Sequence, residues 1–359
     1  MNKQMSFLFA IALTVFGACK AENMKKTESV DSVEKVLSTK PDKASTPFGI
    51  NGRLTLSGTQ IVNQFGKAVQ LRGMSTHGLQ YRGNCYTDES LELLAYGWGA
   101  DILRISMYVQ EGGYETNPEK FTQMVDNLVE KCYEMGIYAL IDWHMLHPGD
   151  PNANTELAKV FFEHVSKKHA DKGNVLYEIC NEPNDKEGVV TWAMIKNYAN
   201  QIIPIVRNND PKSIIIVGTP ENASRPDMAI GNPLTQANVM YTMHFYAADT
   251  WQSNHQQRRR DYVSKAIAAG LPVFVTEFGT QDGWGDGEND FVASQLWLDF
   301  MRTNKISWCN WNYSDSPLSG AVWKNGTCPN GPWTDDNLKE SGKWIRGKLS
   351  NPADEFATQ

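Results

Sequence analysis

Two glutamates in this sequence stand where a carboxylate is hard to accommodate. Glu182 follows the apolar run of LYEICNEPND, and Glu277 closes the equally apolar LPVFVTEFG. Burying an unpaired charge is strongly unfavourable, so a carboxylate at the end of a buried strand is either paired or used. Two carboxylates facing one another can cleave a glycosidic bond: one protonates the leaving oxygen while the other attacks the sugar or activates water. Other chemistries also use such groups. Aspartyl proteolysis needs the carboxylates close enough to share a proton. A metal site would recruit histidine as well, but no HExxH or similar spacing is present, so no metal or other cofactor is implied.

The elements that must position these glutamates follow from hydrophobic pattern. From Phe48 onward short apolar runs alternate with segments of helical period, as in parallel strands joined by crossover helices. A hairpin-like entry, LTLSGTQIVNQFG, would cap the bottom of the domain. Eight strand-like runs follow: AVQLRGMS, ADILRISMY, IYALIDWH, NVLYEICNE, SIIIVGTP, VMYTMHFY, LPVFVTEFG and ISWCNWNYS. Between them, NPEKFTQMVDNLVEKCYEMG places Phe121, Met124, Val125, Leu128, Val129 and Cys132 at helical spacing, with Gly136 as its stop. HQQRRRDYVSKAIAAG repeats that pattern up to Gly270. Eight strand-helix units in roughly 300 residues predict an α/β fold of the TIM (β/α)8 barrel type in a single catalytic domain. No G-x-G-x-x-G follows a strand, which argues against a doubly wound dinucleotide fold. Barrel sites lie at the C-terminal strand ends. Those ends hold His77, Arg104, His144, Asn181 with Glu182, Thr219 to Glu221, His244 with Tyr246, Glu277 and Trp311.

Composition narrows the partners. With Lys+Arg 34 against Asp+Glu 41 the net charge is -7, so there is no basic field to draw the chain to nucleic acid. The one basic run, Arg258 to Arg260, reads as a solvated helix face. At the start, Lys3 precedes an apolar run from Phe7 to Phe16, too short to span a bilayer and suited to the core of a signal peptide. Gly17-Ala18-Cys19 resembles a bacterial lipobox. The expectation is therefore an exported protein: signal peptide 1–19, Cys19 lipidated and attached to the outer membrane or cell surface, with free secretion as the alternative. A polar linker follows over 20–47, then the catalytic domain 48–349 and a tail 350–359, the whole acting as a monomer. The five cysteines beyond Cys19 are odd in number and lack any CxxC, so neither a zinc site nor a disulfide framework is indicated. Cys180 and Cys309 fall inside apolar runs as small hydrophobes. Pairing among Cys85, Cys132, Cys180, Cys309 and Cys328 stays open.

In order along the chain, ILRISMY with its arginine, DWH, NEP, HFY, TEFG and WNY resemble glycoside hydrolase family 5, in particular its bacterial endoglucanases, over about Phe48 to Leu349. That resemblance implies a retaining endo-β-1,4-glucanase acting on β-glucan polysaccharide, with Glu182 as acid and base and Glu277 as the nucleophile. Carboxyl groups in retaining enzymes stand about 5–5.5 Å apart. Arg104 and Tyr246 would hold Glu277 ionised, and burial plus repulsion from Glu277 would raise the Glu182 pKa and keep it protonated. Asn181 would bind the sugar 2-hydroxyl, His144 and His244 would orient hydroxyls or carboxylates, and Trp311 would face the sugar ring. His77 and Tyr81 would bound the glycone side. Tyr108, Trp143, Trp284, Trp323 and Trp333 are candidate sugar platforms or packing residues. Related endoglucanases often carry Lys and Glu just after the barrel tryptophan, where this chain has Ser316 and Leu318. The same machinery could act on mannan, xyloglucan or mixed-linkage glucan, and a glycan-binding receptor without catalysis is the more distant reading.

Overall fold

All eight apolar runs become strands of one closed parallel barrel. The computed structural model describes residues 40–249 and 255–352; the signal peptide, Cys19 and most of the expected linker and tail lie outside the described residues. A short hairpin, β1 (Thr55–Ser57) and β2 (Gln60–Val62), precedes the barrel strands. These are β3 (Arg72–Ser75), β4 (Ile102–Tyr108), β5 (Tyr138–His144), β6 (Val175–Glu178), β7 (Ile215–Val217), β8 (Val239–Tyr246), β9 (Val273–Gly279) and β10 (Trp308–Trp311). They close in the order β10-β3-β4-β5-β6-β7-β8-β9.

The period of two along each strand divides the barrel interior into two layers. Near the bottom the inward residues are apolar. Ile102, Leu140, Leu176, Ile216, Met240, Phe274 and Cys309 pack together, and Leu54 and Ile61 of the hairpin region seal them from below. Two positions further along the same strands the inward residues are Arg104, Asp142, Glu178 and Thr242, all without solvent exposure. The apolar layer is thus a floor on which a buried polar layer rests. The outward faces pack against the surrounding helices in the larger core cluster.

Local chemistry sets the element ends. Asn117 caps the helix Pro118–Met135 by accepting from the Lys120 N–H, and Gly136 ends it in the left-handed region at φ 71. The helix His255–Ala268 is followed by Gly270 at φ 84. Sequence placed residues 42–47 in the linker, but the fold begins earlier. A turn at Lys43–Ser45 and a helix Pro47–Asn51 dock on the barrel, with the Phe48 N–H donating to Gly136 O at 2.8 Å. Polar composition concealed this because the segment is held by side-chain caps, Asp42 and Thr46, rather than by an apolar stripe.

Beside the mouth, β9 carries one extra residue. Against β8, Thr242 pairs with Phe274 while His244 pairs with Glu277, and against β10, Trp308 pairs with Val275 while Asn310 pairs with Phe278. Such a bulge re-aims side chains. Here it turns the consecutive residues Thr276 and Glu277 both toward the barrel interior, which strict alternation forbids.

Cys85 and Cys328 form a disulfide across 243 residues of sequence, and Cys132, Cys180 and Cys309 are buried free thiols. Closing so long a loop restricts the unfolded chain strongly. Replacing both cysteines by serine should lower the unfolding free energy by about 2–5 kcal/mol, read as a lower urea midpoint; an unchanged midpoint would show that the bridge adds nothing.

Candidate active site

Arg104 is the hub of the polar layer. Its Nε donates to Glu178 Oε2 at 2.7 Å, its Nη1 to Glu277 Oε2 at 2.9 Å and its Nη2 to Asn181 Oδ1 at 2.7 Å, with Asp142 Oδ2 at 3.0 Å from Nη2. Burial opposes the charge, but the three carboxylates hold the guanidinium pKa well above its usual value. Four strands, β4, β5, β6 and β9, are joined through one side chain.

The two glutamates meet over this hub. Glu277 accepts from Arg104 on Oε2 and from the Tyr246 hydroxyl on Oε1 at 2.6 Å, the two contacts that the sequence reading expected. Glu182 lies across from it, and an oxygen of each carboxylate comes within 4.8 Å of the other and of a ring nitrogen of His244. That trio has the make-up of a metal site, but Arg104 already supplies a cation beside Glu277, which disfavours a second one.

Glu182 departs from expectation. Its Oε1 is 2.9 Å from His244 Nδ1, and His244 Nε2 is 2.8 Å from Thr276 Oγ1. The Thr276 hydroxyl gives its proton to Glu178 Oε1 at 2.7 Å, so it accepts from His244. Nε2 therefore donates to Thr276, and Nδ1 faces the Glu182 carboxyl. Burial lowers the His244 pKa, yet its bonds to Glu178 and Glu182 outweigh burial and push it up to about 9. Burial likewise raises the Glu182 carboxyl, and the His244 hydrogen bond and charge more than reverse this, leaving it below its ordinary value. These directions favour the histidine side of the Glu182–His244 pair for the shared proton, whereas the sequence reading expected it on Glu182. Repulsion from Glu277 was visible in the strand pattern; the aim of His244 Nδ1 was not.

A cleft of about 590 Å³ opens above the pair. His77, Tyr108, His144, His244, Tyr246 and Trp311 line it with the two glutamates. His144 stacks between Tyr108 at 4.1 Å and Trp311 at 5.4 Å. Burial and the Arg104 charge lower its pKa to about 3, so it stays neutral, while burial takes His77 to about 4. Arg104 and Asn181 lie beneath the floor without exposure. Tyr81 stands at the edge of the cleft, packing edge-on against His77 and Tyr108 and donating to Glu111 Oε2 at 3.0 Å. Of the candidate tryptophan platforms, Trp143, Trp323 and Trp333 are core residues. Trp284 is 75% exposed and lines the cleft beside Gly285 and Leu318. Ser316 is buried and Leu318 faces the cleft, and Lys339 Nζ bonds the carbonyls of both. Sequence reasoning missed Asp142, Glu178, Thr276 and Asn222. Asp142 and Glu178 carried a usable signal, a charge inside an apolar strand.

Removing the hub should unbalance the buried carboxylates. Arg104→Met is expected to destabilise the fold by about 3–5 kcal/mol at neutral pH. Burial raises the Glu178 carboxyl but Arg104 overrides it, so its pKa drops to about 2. The stabilisation is thus present above the unfolded value of about 4.3 and lost as pH falls through the folded one. Denaturant titrations should show the deficit at pH 7 narrowing toward acid; a deficit within about 0.5 kcal/mol, as at an ordinary surface site, would contradict the hub.

Comparison with known proteins agrees with this arrangement. A family model described as Cellulase (glycosyl hydrolase family 5) matches residues 62–317. Endoglucanase E-5 of Thermobifida fusca is 47% identical over 314 residues, 85% of this chain and 65% of that protein. Endoglucanase MaCel5A of Microbulbifer sp. (strain ALW1) is 46% identical over 316 residues, 85% of this chain and 60% of that protein. The chain thus spans less than two thirds of the length of these two relatives. The crystal structure of the Thermobifida fusca Cel5A (E5) catalytic domain superposes with a TM-score of 0.81 at 47% identity, covering 86% of this chain and 100% of that one. A second structure of that domain, in complex with cellotetraose, superposes equally well. By the family match, the identity to these endoglucanases and the shared barrel, this chain belongs to the cellulase family, glycosyl hydrolase family 5.

Proposed function

We propose that this protein is a retaining endo-β-1,4-glucanase in which Glu277 is the nucleophile and Glu182 the acid and base. The observation that carries the reading is the carboxylate spacing: an oxygen of Glu182 lies within 4.8 Å of one of Glu277. Inverting enzymes hold their carboxyl groups about 6.5–9.5 Å apart to admit a water between carboxylate and sugar. Kinship with endoglucanases, one of them solved with cellotetraose, supports β-1,4-glucan as the substrate.

In the first step Glu277 attacks the anomeric carbon, the glycosidic bond breaks, and its electron pair stays on the leaving oxygen, which takes the proton held by the Glu182–His244 pair. In the second, Glu182 removes a proton from water, which attacks the same carbon and frees Glu277. Two inversions retain the β configuration. Asn181 is fixed through Oδ1 by Arg104, while its Nδ2 has only long contacts, 3.4 Å to His144 Nε2 and 3.5 Å to Met145 O. This weakly bonded amide N–H, beside His144 at the cleft floor, is the group we assign to the sugar 2-hydroxyl. Trp284 and Leu318 follow β9 and β10, whereas His147 and Lys186 follow β5 and β6 on the opposite side of the barrel. A cleft lined on both sides of the scissile bond suits binding within a chain, hence endo cleavage. The disulfide supports assembly in an oxidising compartment, in keeping with export, and the lipobox-like Gly17-Ala18-Cys19 with attachment through Cys19.

Reducing-sugar release from carboxymethylcellulose and barley β-glucan, with β-mannan alongside, tests the reading. Glu277→Ala should abolish cleavage of the glucans, and Glu182→Gln should slow it by roughly 10²–10⁴. Cleavage of mannan alone would overturn the substrate. Trp284→Ala is expected to raise KM for soluble glucan by roughly threefold or more at unchanged kcat, the signature of uniform binding; an unchanged KM removes Trp284 from the binding surface. The pair keeps its proton below the His244 pKa of about 9, so kcat/KM should fall as pH rises through that value. The raised pKa also stabilises the fold fully below about 6.5, and that contribution fades as pH climbs toward 9. Constant kcat/KM between pH 8 and about 10 would contradict a proton held by this pair.

A further inference from the structure

Beyond β7 the chain takes an unusual path. Glu221, Asn222 and Ala223 stand in succession at φ 56, 57 and 56, in the left-handed region that residues with a Cβ disfavour. Of the common residues only asparagine and aspartate enter it readily apart from glycine. Strain of this kind persists where the surroundings over-determine it, and it concentrates at working sites.

Here the surroundings are the Asn-Glu-Pro loop. The Asn222 N–H donates to Pro183 O at 2.9 Å, the Ala223 N–H to Thr219 O at 3.0 Å and the Ser224 N–H to Pro220 O at 3.2 Å. Just before the turn the two loops nearly touch: a Cβ on Gly218 would fall 2.4 Å from Cys180 O and 2.7 Å from Pro183 Cδ. The result is a turn bolted to the segment that carries Glu182. Its outcome in the cleft wall is a single contact, Asn222 Nδ2 to Glu182 Oε2 at 3.3 Å. Glu182 then has two donors of different kinds, the ionisable His244 on Oε1 and a permanently neutral amide on Oε2.

We propose that Asn222 is a positioning residue for the acid and base Glu182, held by the left-handed turn so that its amide supports the Glu182 carboxylate as the Glu182–His244 pair gives up its proton to the departing sugar. The assignment rests on the glycosidase reading above. An amide N–H bonds a carboxylate more strongly than a carboxylic acid, so it eases the proton release that a poor leaving group requires. A leaving group that departs without protonation has no need of it. Asn222 lines the cleft together with Glu182, Glu221 and Ser224.

The test compares two leaving groups and two variants. Asn222→Gly removes the amide while relieving the backbone, and Asn222→Asp keeps the turn preference but replaces the donor by a charge. Wild type and both variants are assayed on cellotetraose and on dinitrophenyl β-cellobioside across pH. The other groups that share the field of Glu182 are Tyr108 on β4, Asp142 and His144 on β5, Glu178 on β6, His244 and Tyr246 on β8, Glu277 on β9, and Asp249 and Arg259 beyond β8. All remain in both variants. The expected result for Asn222→Gly is roughly a tenfold loss of kcat on cellotetraose against at most about twofold on the dinitrophenyl substrate. Loss of a donor to the carboxylate lets the pair keep its proton longer, so the basic limb of kcat/KM should move to higher pH, and further still for Asn222→Asp. Equal losses on both substrates with an unmoved pH profile would reduce Asn222 to a loop anchor and overturn the assignment, as would wild-type kinetics on both. A folded wild type that cleaves neither substrate would remove the glycosidase reading and the assignment with it.

Discussion

A single buried guanidinium governs the architecture of this site. Arg104 sits on an apolar floor with no access to water, and its charge is stable there only because Glu178, Glu277 and Asp142 surround it. The dependence is mutual, since those carboxylates would be strongly unfavourable without it. Three of its nitrogens point at partners from other strands. The planar fork therefore fixes where Glu277 and Asn181 stand relative to one another, which a lysine with its single compact charge would not do. Catalytic geometry and fold stability are here the same set of contacts.

From that hub the site is built upward by local irregularities. Regular alternation would aim either Thr276 or Glu277 inward; the extra residue in β9 allows both, so one strand supplies the carboxylate on Arg104 and the hydroxyl that orients His244. His244 then links Glu178 below, through the Thr276 hydroxyl, to Glu182 above. The left-handed turn after β7 completes the enclosure of Glu182. Strand bulge and strained turn both lie at the end of the barrel that carries chemistry, while the bottom is regular and apolar.

The large features were legible in the sequence because each had a one-dimensional signature. Eight apolar runs, the hairpin entry, the helix stop at Gly136 and the two glutamates at strand ends were all readable from period and residue type, and the barrel order brings Glu182 and Glu277 together as those signs implied. The rest depends on direction. Nothing in VMYTMHFY says that His244 points Nδ1 at Glu182, so the contact that draws the Glu182 pKa down was not foreseen. Nothing in TPENAS marks three left-handed residues, so Asn222 went unnoticed. Trp143 and Trp284 look alike as letters, yet one lies in the core and the other stands 75% exposed on a rim loop. The disulfide joins cysteines 243 residues apart, a pairing that spacing alone does not reveal.

The account turns on two carboxylates close enough for direct attack on sugar. The most direct measurement is the stereochemistry of the first product: proton NMR of the anomeric region during cleavage of cellotetraose, recorded before mutarotation. The account predicts that the β anomer appears first and the α anomer grows in only as the product equilibrates. An α anomer formed first would mean that water, not Glu277, attacks the sugar, and would contradict the mechanism built on this spacing.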